Sequence, residues 1–291
     1  MTIQTVGIIG AGQMGGGIAH VLALSGFRVV LTDADPSNLE AGFGKIVSAI
    51  ERRAAAGKLD EADKKDAILR IRTTGALAEL GTCDLIIEAA SENEEVKCRI
   101  FWDLAPSLSP ETILTSNTSS ISITRLASAS SRPEKFMGLH FMNPVPQMQL
   151  VELIRGIATN QETFDAIKRV VDRLNKTAIS SADFPGFIVN RILIPMINEA
   201  ISVLQEGVGS IIDIDQSMRL GANHPMGPLE LADFIGLDTC LAIMKVLDDG
   251  LPNPKYRPCP LLVKYVEAGW LGRKTGRGFY DYRTGTPVPT R

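Results

Sequence analysis

In the first half of the chain, short apolar runs rich in β-branched residues alternate with stretches of helical periodicity. The runs at 5–9, 28–32, 71–73, 85–88, 113–116 and 136–140 predict strands. Strands separated by helices predict a parallel sheet with helices on both faces. One interval is too long for a plain strand–helix–strand repeat: nearly forty residues lie between the second run and Ile71. Within it, Asp35-Pro36-Ser37 marks a helix start, with Asp35 as the cap and Pro36 in the first turn. A helical pattern over 39–56 stops at Gly57, and 60–70 predict a second helix. A helical hairpin is therefore expected to project from the sheet.

After Ser180-Ser181-Ala182-Asp183-Phe184-Pro185-Gly186 the pattern changes. Strand-like runs become scarce, and helical spacing links Ile188, Ile192, Met196, Ala200 and Val203. Pro195 removes one backbone donor inside this helix and predicts a bend. These shifts place a domain boundary near 184–186, with residues 1–185 forming the first domain and 186–291 a helical second domain. A loop over 251–260 carries four prolines. The chain has no internal repeat and no low-complexity tract.

Composition narrows the function classes. The 291 residues are 45% hydrophobic and carry a formal charge of −3, which gives no sign of a nucleic-acid surface. The four cysteines, Cys83, Cys98, Cys240 and Cys259, lack C-x-x-C spacing. That argues against a zinc site and fits a reducing compartment. A strand begins within a few residues of Met1, which leaves no room for a signal or transit peptide and points to the cytoplasm. The most apolar later stretch, 187–204, contains Asn190, Arg191, Asn198 and Glu199, so it reads as a buried helix rather than a membrane span.

The first candidate chemistry is Gly10-Ala11-Gly12-Gln13-Met14-Gly15, directly after the first strand. Gly10 permits a tight turn, Gly12 lets backbone approach a pyrophosphate, and Gly15 lets the next helix pack on the sheet. Phosphates would then sit at a helix N-terminus. Such a motif alone is weak. Here it follows a strand, opens a helical pattern, and is followed 23 residues beyond Gly10 by Asp33. A carboxylate there suits adenosine ribose hydroxyls and would repel a 2′-phosphate, so NAD is expected over NADP.

The second constellation is Asn117-Thr118-Ser119-Ser120, then His140-Phe141-Met142-Asn143-Pro144-Val145-Pro146, then Glu152. His140 ends a strand in the region where open α/β sheets bind ligands. Hydride transfer needs a group to take and return the hydroxyl proton, and histidine's ordinary pKa suits that exchange. A carboxylate on the other ring nitrogen fixes the tautomer and favours the imidazolium. Glu152 is the candidate, because Gln149-Leu150-Val151-Glu152-Leu153 reads as a strand and a buried carboxylate needs a partner. Ser119 could donate to a substrate oxygen. His20 reads as a packing or surface residue, and His224, in a turn-rich loop, as structural.

These residues carry a family resemblance. The matching stretches are Gly7 to Gly15, Ile87-Glu88-Ala89-Ala90-Ser91-Glu92-Asn93, Ser116 to Ser120, His140 to Pro146, Pro185-Gly186-Phe187-Ile188-Val189-Asn190-Arg191 and Gly276-Arg277-Gly278-Phe279-Tyr280. Together they resemble the L-3-hydroxyacyl-CoA dehydrogenase family, especially its short bacterial 3-hydroxybutyryl-CoA dehydrogenases, from Val6 to about Tyr282. The resemblance implies a Rossmann-like, mostly parallel sheet with a projecting hairpin, followed by an all-α C-terminal domain. It implies NAD, and His140 as acid and base with Glu152 as its partner. Ser119 and Asn190 are implied at the substrate, with Asn190 bringing the helical domain to the site. Ser119 and Asn143 are implied near the nicotinamide, Gln13 and Met14 in the cofactor turn, and Glu92 and Lys97 at the cofactor's sugars.

The hairpin is implied to take coenzyme A, with Arg52, Arg53 and Lys58 available for its phosphates, although basic residues on a helix are also ordinary solvated surface. The apolar content after Gly186 exceeds what a domain of that size buries, so a homodimer through the helical domain is expected. Two other functions stay open at this point. One is a dehydrogenase of a free 3-hydroxy acid, such as a sugar acid or a carnitine-like compound. The other is a non-catalytic NAD-binding protein.

Overall fold

The protein is described from a computed structural model, which covers residues 2–291. Its contacts divide the chain into two compact units, Met1–Phe184 and Pro185–Arg291.

The first unit alternates strand and helix. In chain order it contains β1 (Thr5–Ile9), α1 (Gln13–Leu24), β2 (Arg28–Thr32), α2 (Pro36–Ala55), α3 (Glu61–Leu69), β3 (Ile71–Thr74), β4 (Leu85–Glu88), α4 (Glu94–Leu104), β5 (Ile113–Ser116), α5 (Ile123–Ser128), β6 (Phe136–Phe141), β7 (Leu150–Arg155), α6 (Gln161–Arg173) and β8 (Thr177–Ala182). The strands form one sheet in the order β3-β2-β1-β4-β5-β6-β7-β8. The first six are mutually parallel. The order reverses between β1 and β4, the position where open parallel sheets form a ligand crevice.

β7 runs antiparallel to β6. The connection between them is too short for a crossover, so the chain must fold straight back. The reversal places His140 directly opposite Glu152 in the register. The β8 strand was not expected from the sequence. Its residues, Thr-Ala-Ile-Ser-Ser-Ala, are mostly exposed at the sheet edge, so no apolar run announces it. It pairs parallel to β7 through α6, whose buried Thr163, Ala166, Ile167, Val170 and Val171 follow helical spacing.

The hairpin is α2 with α3. Asp35 caps α2 by accepting from the Ser37 N–H at 2.8 Å, and Asp60 caps α3 by accepting from the Asp63 N–H at 2.7 Å. Ile46 and Ile50 of α2 join the main core with Ile18 and Leu22 of α1. The hairpin is thus anchored on one face.

The second unit contains α7 (Val189–Gln205), α8 (Ile211–Gly221), α9 (Pro228–Ile235), α10 (Leu237–Gly250), α11 (Pro260–Glu267) and a small antiparallel pair, β9 (Tyr280–Asp281) with β10 (Val288–Pro289). Its own core includes Ile197, Ile201, Leu229, Met244, Leu247 and Phe279. Two buried carboxylates tie its segments together. Asp215 accepts from the N–H groups of Leu229 and Glu230 at the start of α9, and from the Tyr280 hydroxyl. Asp233 accepts from the N–H groups of Phe279 and Tyr280 and from the Tyr282 hydroxyl. Among the described residues, no helix is long and apolar enough to cross a membrane.

Candidate active site

The turn after β1 is built for close approach. Gly10 has φ +102°, and a Cβ there would lie 2.5 Å from the Ala89 carbonyl oxygen at the end of β4. A Cβ on Gly15 would lie 1.8 Å from the Gly10 carbonyl oxygen, so α1 reaches the turn because position 15 has no side chain. Gly12 differs: nothing lies within 4 Å of a Cβ built there. It is the N-cap of α1 and makes no side-chain cap bond. This open backbone at a helix N-terminus fits a dinucleotide pyrophosphate. Met14 packs on the core, while the Gln13 amide donates to Asn143 Oδ1 at 3.0 Å.

Asp33 stands just past β2. Its Oδ2 accepts from the Ala11 N–H at 2.7 Å and its Oδ1 from the Asp35 N–H at 3.0 Å. The residue expected to receive ribose hydroxyls therefore also fixes the glycine turn. An ionised carboxylate offers about four acceptor positions, so these two bonds leave capacity for a ribose.

Behind the turns after β4 and β5 lies a buried charge network. Glu88, fully buried at the end of β4, accepts from Lys97 Nζ at 2.7 Å, from the Ala90 N–H at 2.7 Å and from Ser116 Oγ at 2.5 Å. Lys97, 1% exposed, also stands 3.5 Å from Glu92. Glu92 Oε1 accepts from Thr118 Oγ1 at 2.6 Å, from the Ser119 N–H at 2.9 Å and from Ser120 Oγ at 3.1 Å. Desolvation works to raise the Glu92 carboxyl, but the Lys97 charge and these hydrogen bonds outweigh it and hold it below the usual range. The sequence reading did not single out Glu88 as a site residue. Its signal was an acid closing the apolar strand Leu85-Ile86-Ile87.

His140 and Glu152 are both buried, and Nδ1 of the ring lies 2.7 Å from Glu152 Oε2. Directly opposed residues on paired strands project on the same face, so the register creates this contact. Asn117 Oδ1 accepts from the Phe141 N–H at 2.9 Å and ties the Ser119 turn to the strand bearing His140. The Asn143–Pro144 bond, in the loop that follows, is cis. Ser119 follows β5 and His140 nears the end of the adjacent parallel β6, so both belong to the carboxyl edge of the sheet. Asn190 is half-buried in the first turn of α7, in the second unit.

A cavity of about 390 Å³ lies beside the glycine turn, between α1 and α2. Gly16, His20, Lys45, Ala49, Asn143 and Pro146 are among the residues that line it. Sequence reading missed it, although glycines inside two helices (Gly16 and Gly17, then Gly42) were a visible signal. At Gly42, a Cβ would come 2.3 Å from the Ala11 carbonyl oxygen. The helix approaches the turn there and leaves space alongside. Arg52 and Arg53 sit exposed in the last turn of α2, and Lys58 is exposed just after it. Burial first, then the charges of Arg53 and Arg52, push the His20 imidazole down to about 4, so it is neutral near pH 7.

Comparison with known proteins accords with this geometry. The NAD-binding domain of 3-hydroxyacyl-CoA dehydrogenase matches residues 5–184, and the C-terminal domain of 3-hydroxyacyl-CoA dehydrogenase matches residues 186–282. A 3-hydroxybutyryl-CoA dehydrogenase from Bradyrhizobium diazoefficiens is 62% identical over 289 residues, covering 99% of this chain and 99% of the relative. The mitochondrial hydroxyacyl-coenzyme A dehydrogenase of Homo sapiens is 41% identical, covering 97% of this chain and 92% of the relative. The crystal structure of an (S)-3-hydroxybutyryl-CoA dehydrogenase from Ralstonia eutropha superposes with a TM-score of 0.94 at 49% identity, covering 97% of this chain and 99% of that one. The chain belongs to the 3-hydroxyacyl-CoA dehydrogenase family and carries that family's NAD-binding domain.

Proposed function

We propose that this protein interconverts a short-chain (S)-3-hydroxyacyl-CoA, 3-hydroxybutyryl-CoA in particular, and the corresponding 3-ketoacyl-CoA. The observation that carries the reading is the buried His140–Glu152 pair at 2.7 Å, on the ligand-binding edge of a sheet whose glycine turn fits a dinucleotide. NAD, which the turn from Gly10 to Gly15 and Asp33 would hold, would supply the hydride acceptor for oxidation and, in its reduced form, the hydride donor for reduction.

The chain's own residues handle the proton and the positions. In oxidation, His140 Nε2 takes the hydroxyl proton as the carbon–hydrogen bond breaks, and in reduction it gives that proton to the forming alkoxide. Glu152 on Nδ1 keeps the proton-exchanging nitrogen facing substrate and stabilises the ring when it is charged. Ser119 donates to the substrate oxygen. The family motif assigns Asn190 to the substrate as well, and Asn190→Ala tests that assignment. Glu92, held by Lys97, and Asn143, held by Gln13, complete the cofactor side.

The hairpin would take coenzyme A, with Arg52, Arg53 and Lys58 as partners for its phosphates. Exposed Ile188, Ile192, Val208, Ile212, Leu220 and Phe234 support a homodimer through residues after Gly186. The four cysteines are free, which fits the reducing cytoplasm where this reading puts the protein. A free 3-hydroxy acid is the less favoured substrate, since the relatives are named for CoA thioesters.

The test is NADH oxidation with acetoacetyl-CoA beside free acetoacetate. Rapid oxidation with the thioester and little with the acid is expected. Equal rates, or activity with the acid alone, would overturn the acyl-CoA reading.

A further inference from the structure

His20 carries a feature that the proposed chemistry does not use. It is 7% exposed, it lines the cavity between α1 and α2, and its Nε2 is buried with no hydrogen-bond partner in the protein. A buried polar atom without a partner is costly, and native structures rarely keep one without a reason. Packing alone would be served by an apolar side chain of similar size.

The surroundings define what kind of partner fits. On α1, Gln13, Gly16, Gly17 and His20 share the face that borders the cavity, and on α2 the facing residues are Gly42, Lys45, Ile46 and Ala49. A Cβ on Gly16 would make ordinary van der Waals contact at 3.8 Å, and one on Gly17 would come 3.0 Å from the Val145 side chain, so the absence of side chains at both positions leaves the cavity its room. The cations nearby are Lys45 in the cavity wall and Arg52 and Arg53, whose charges reach the imidazole. Those three suit phosphates. A neutral imidazole beside them does not serve as a fourth cation. It offers one N–H or one lone pair, which suits an amide or a hydroxyl.

We propose that His20 is a specificity residue that hydrogen-bonds, through Nε2, a neutral polar group of the substrate's pantetheine arm lying in the α1–α2 cavity. This rests on the acyl-CoA reading above and extends it to a residue outside the proton-transfer set. The arm joins amide and hydroxyl groups to a diphosphate, the same combination of neutral and anionic groups that the cavity wall complements. A truncated thioester without the arm gains nothing from His20.

The experiment compares acetoacetyl-CoA, acetoacetyl-pantetheine and the ethyl thioester of acetoacetate on wild type, His20→Leu and His20→Gln. Leucine keeps the bulk and removes the polar atom, whereas glutamine keeps a neutral donor and acceptor. Losing one neutral hydrogen bond should raise KM about three- to tenfold. His20→Leu is expected to show that rise with both arm-bearing thioesters, with kcat, the KM for the ethyl thioester and the KM for NADH unchanged. His20→Gln is expected to stay near wild type. An unchanged KM for acetoacetyl-CoA in His20→Leu would overturn the proposal. So would an equal rise with the ethyl thioester, which would mark His20 as a packing residue. Failure of the acyl-CoA reading itself would show in the wild type alone, as no preference for acetoacetyl-CoA over the ethyl thioester.

Discussion

Lys97→Met removes the cation from a site that water does not reach. Lys97 and Glu88 are 1% and 0% exposed and 2.7 Å apart. Methionine fills most of the lysine stem's volume, so the main change is electrostatic. Breaking a buried ion pair by deleting one partner costs about 3–5 kcal/mol, because the remaining charge is left in a poorly solvating interior. Glu88 keeps the Ala90 N–H and Ser116 Oγ as donors, which places the expected loss near the lower end, about 3 kcal/mol. The double variant Glu88→Gln/Lys97→Met removes both charges and should recover at least half of that. Equilibrium urea unfolding at neutral pH measures the three stabilities, and NADH fluorescence titration measures a second effect. Glu92 loses its cation at 3.5 Å, so NADH affinity should fall in the single variant. A single-variant loss under about 1 kcal/mol, or a double variant no more stable than the single, would refute the reasoning.

Three further outcomes are expected. Glu152→Gln keeps an acceptor for His140 but loses the charge, and the difference between charged and neutral hydrogen bonds, about 1–2 kcal/mol, should lower kcat about five- to thirtyfold. Steady-state kinetics that leave kcat within about twofold would contradict the role given to the carboxylate. Gly44 is an exposed position inside α2 with nothing within 4 Å of a built Cβ, so Gly44→Ala should stabilise the protein by about 0.5–1 kcal/mol in thermal unfolding. A lowered Tm would mean the hairpin helix is not formed as described. Burial pushes Asp233 up to about 6, against the hydrogen bonds from Tyr280, Phe279 and Tyr282. The folded state then binds its proton more tightly than the unfolded chain does. That contribution is full below the ordinary carboxylate pKa of 3.8 and is lost as pH rises through about 6. Wild type's stability relative to Asp233→Asn should accordingly shrink between those limits, and a constant difference would refute the assignment.

Local signals identified most of the sheet because its central strands are covered on both faces. β1, β4 and β5 are buried along almost their whole length and are built on the apolar stretches 6–9, 85–87 and 113–114, and the glycine turn needs particular residues at Gly10 and Gly15 for steric reasons that a sequence displays. The hairpin was legible for the same kind of reason, since Asp35 and Asp60 are caps. β8 was not, because an exposed edge strand of serine and threonine carries no hydrophobic period. In the site, the strand character and acidity of Glu152 suggested a buried partner, but the opposition to His140 depends on where the chain turns between β6 and β7. Glu88 was not singled out, and His20 read only as a packing or surface residue, because their importance lies in neighbours from other elements. Ser116 and Lys97 surround one; the charges of Arg52 and Arg53 act on the other.

The central claim is that His140 exchanges the substrate proton during hydride transfer. His140→Gln, which leaves an amide to face Glu152, tests it when NADH-dependent reduction of acetoacetyl-CoA is followed alongside NADH binding. The account expects turnover to fall about 10²–10⁴-fold with cofactor affinity retained. Near-normal turnover in that variant would contradict it.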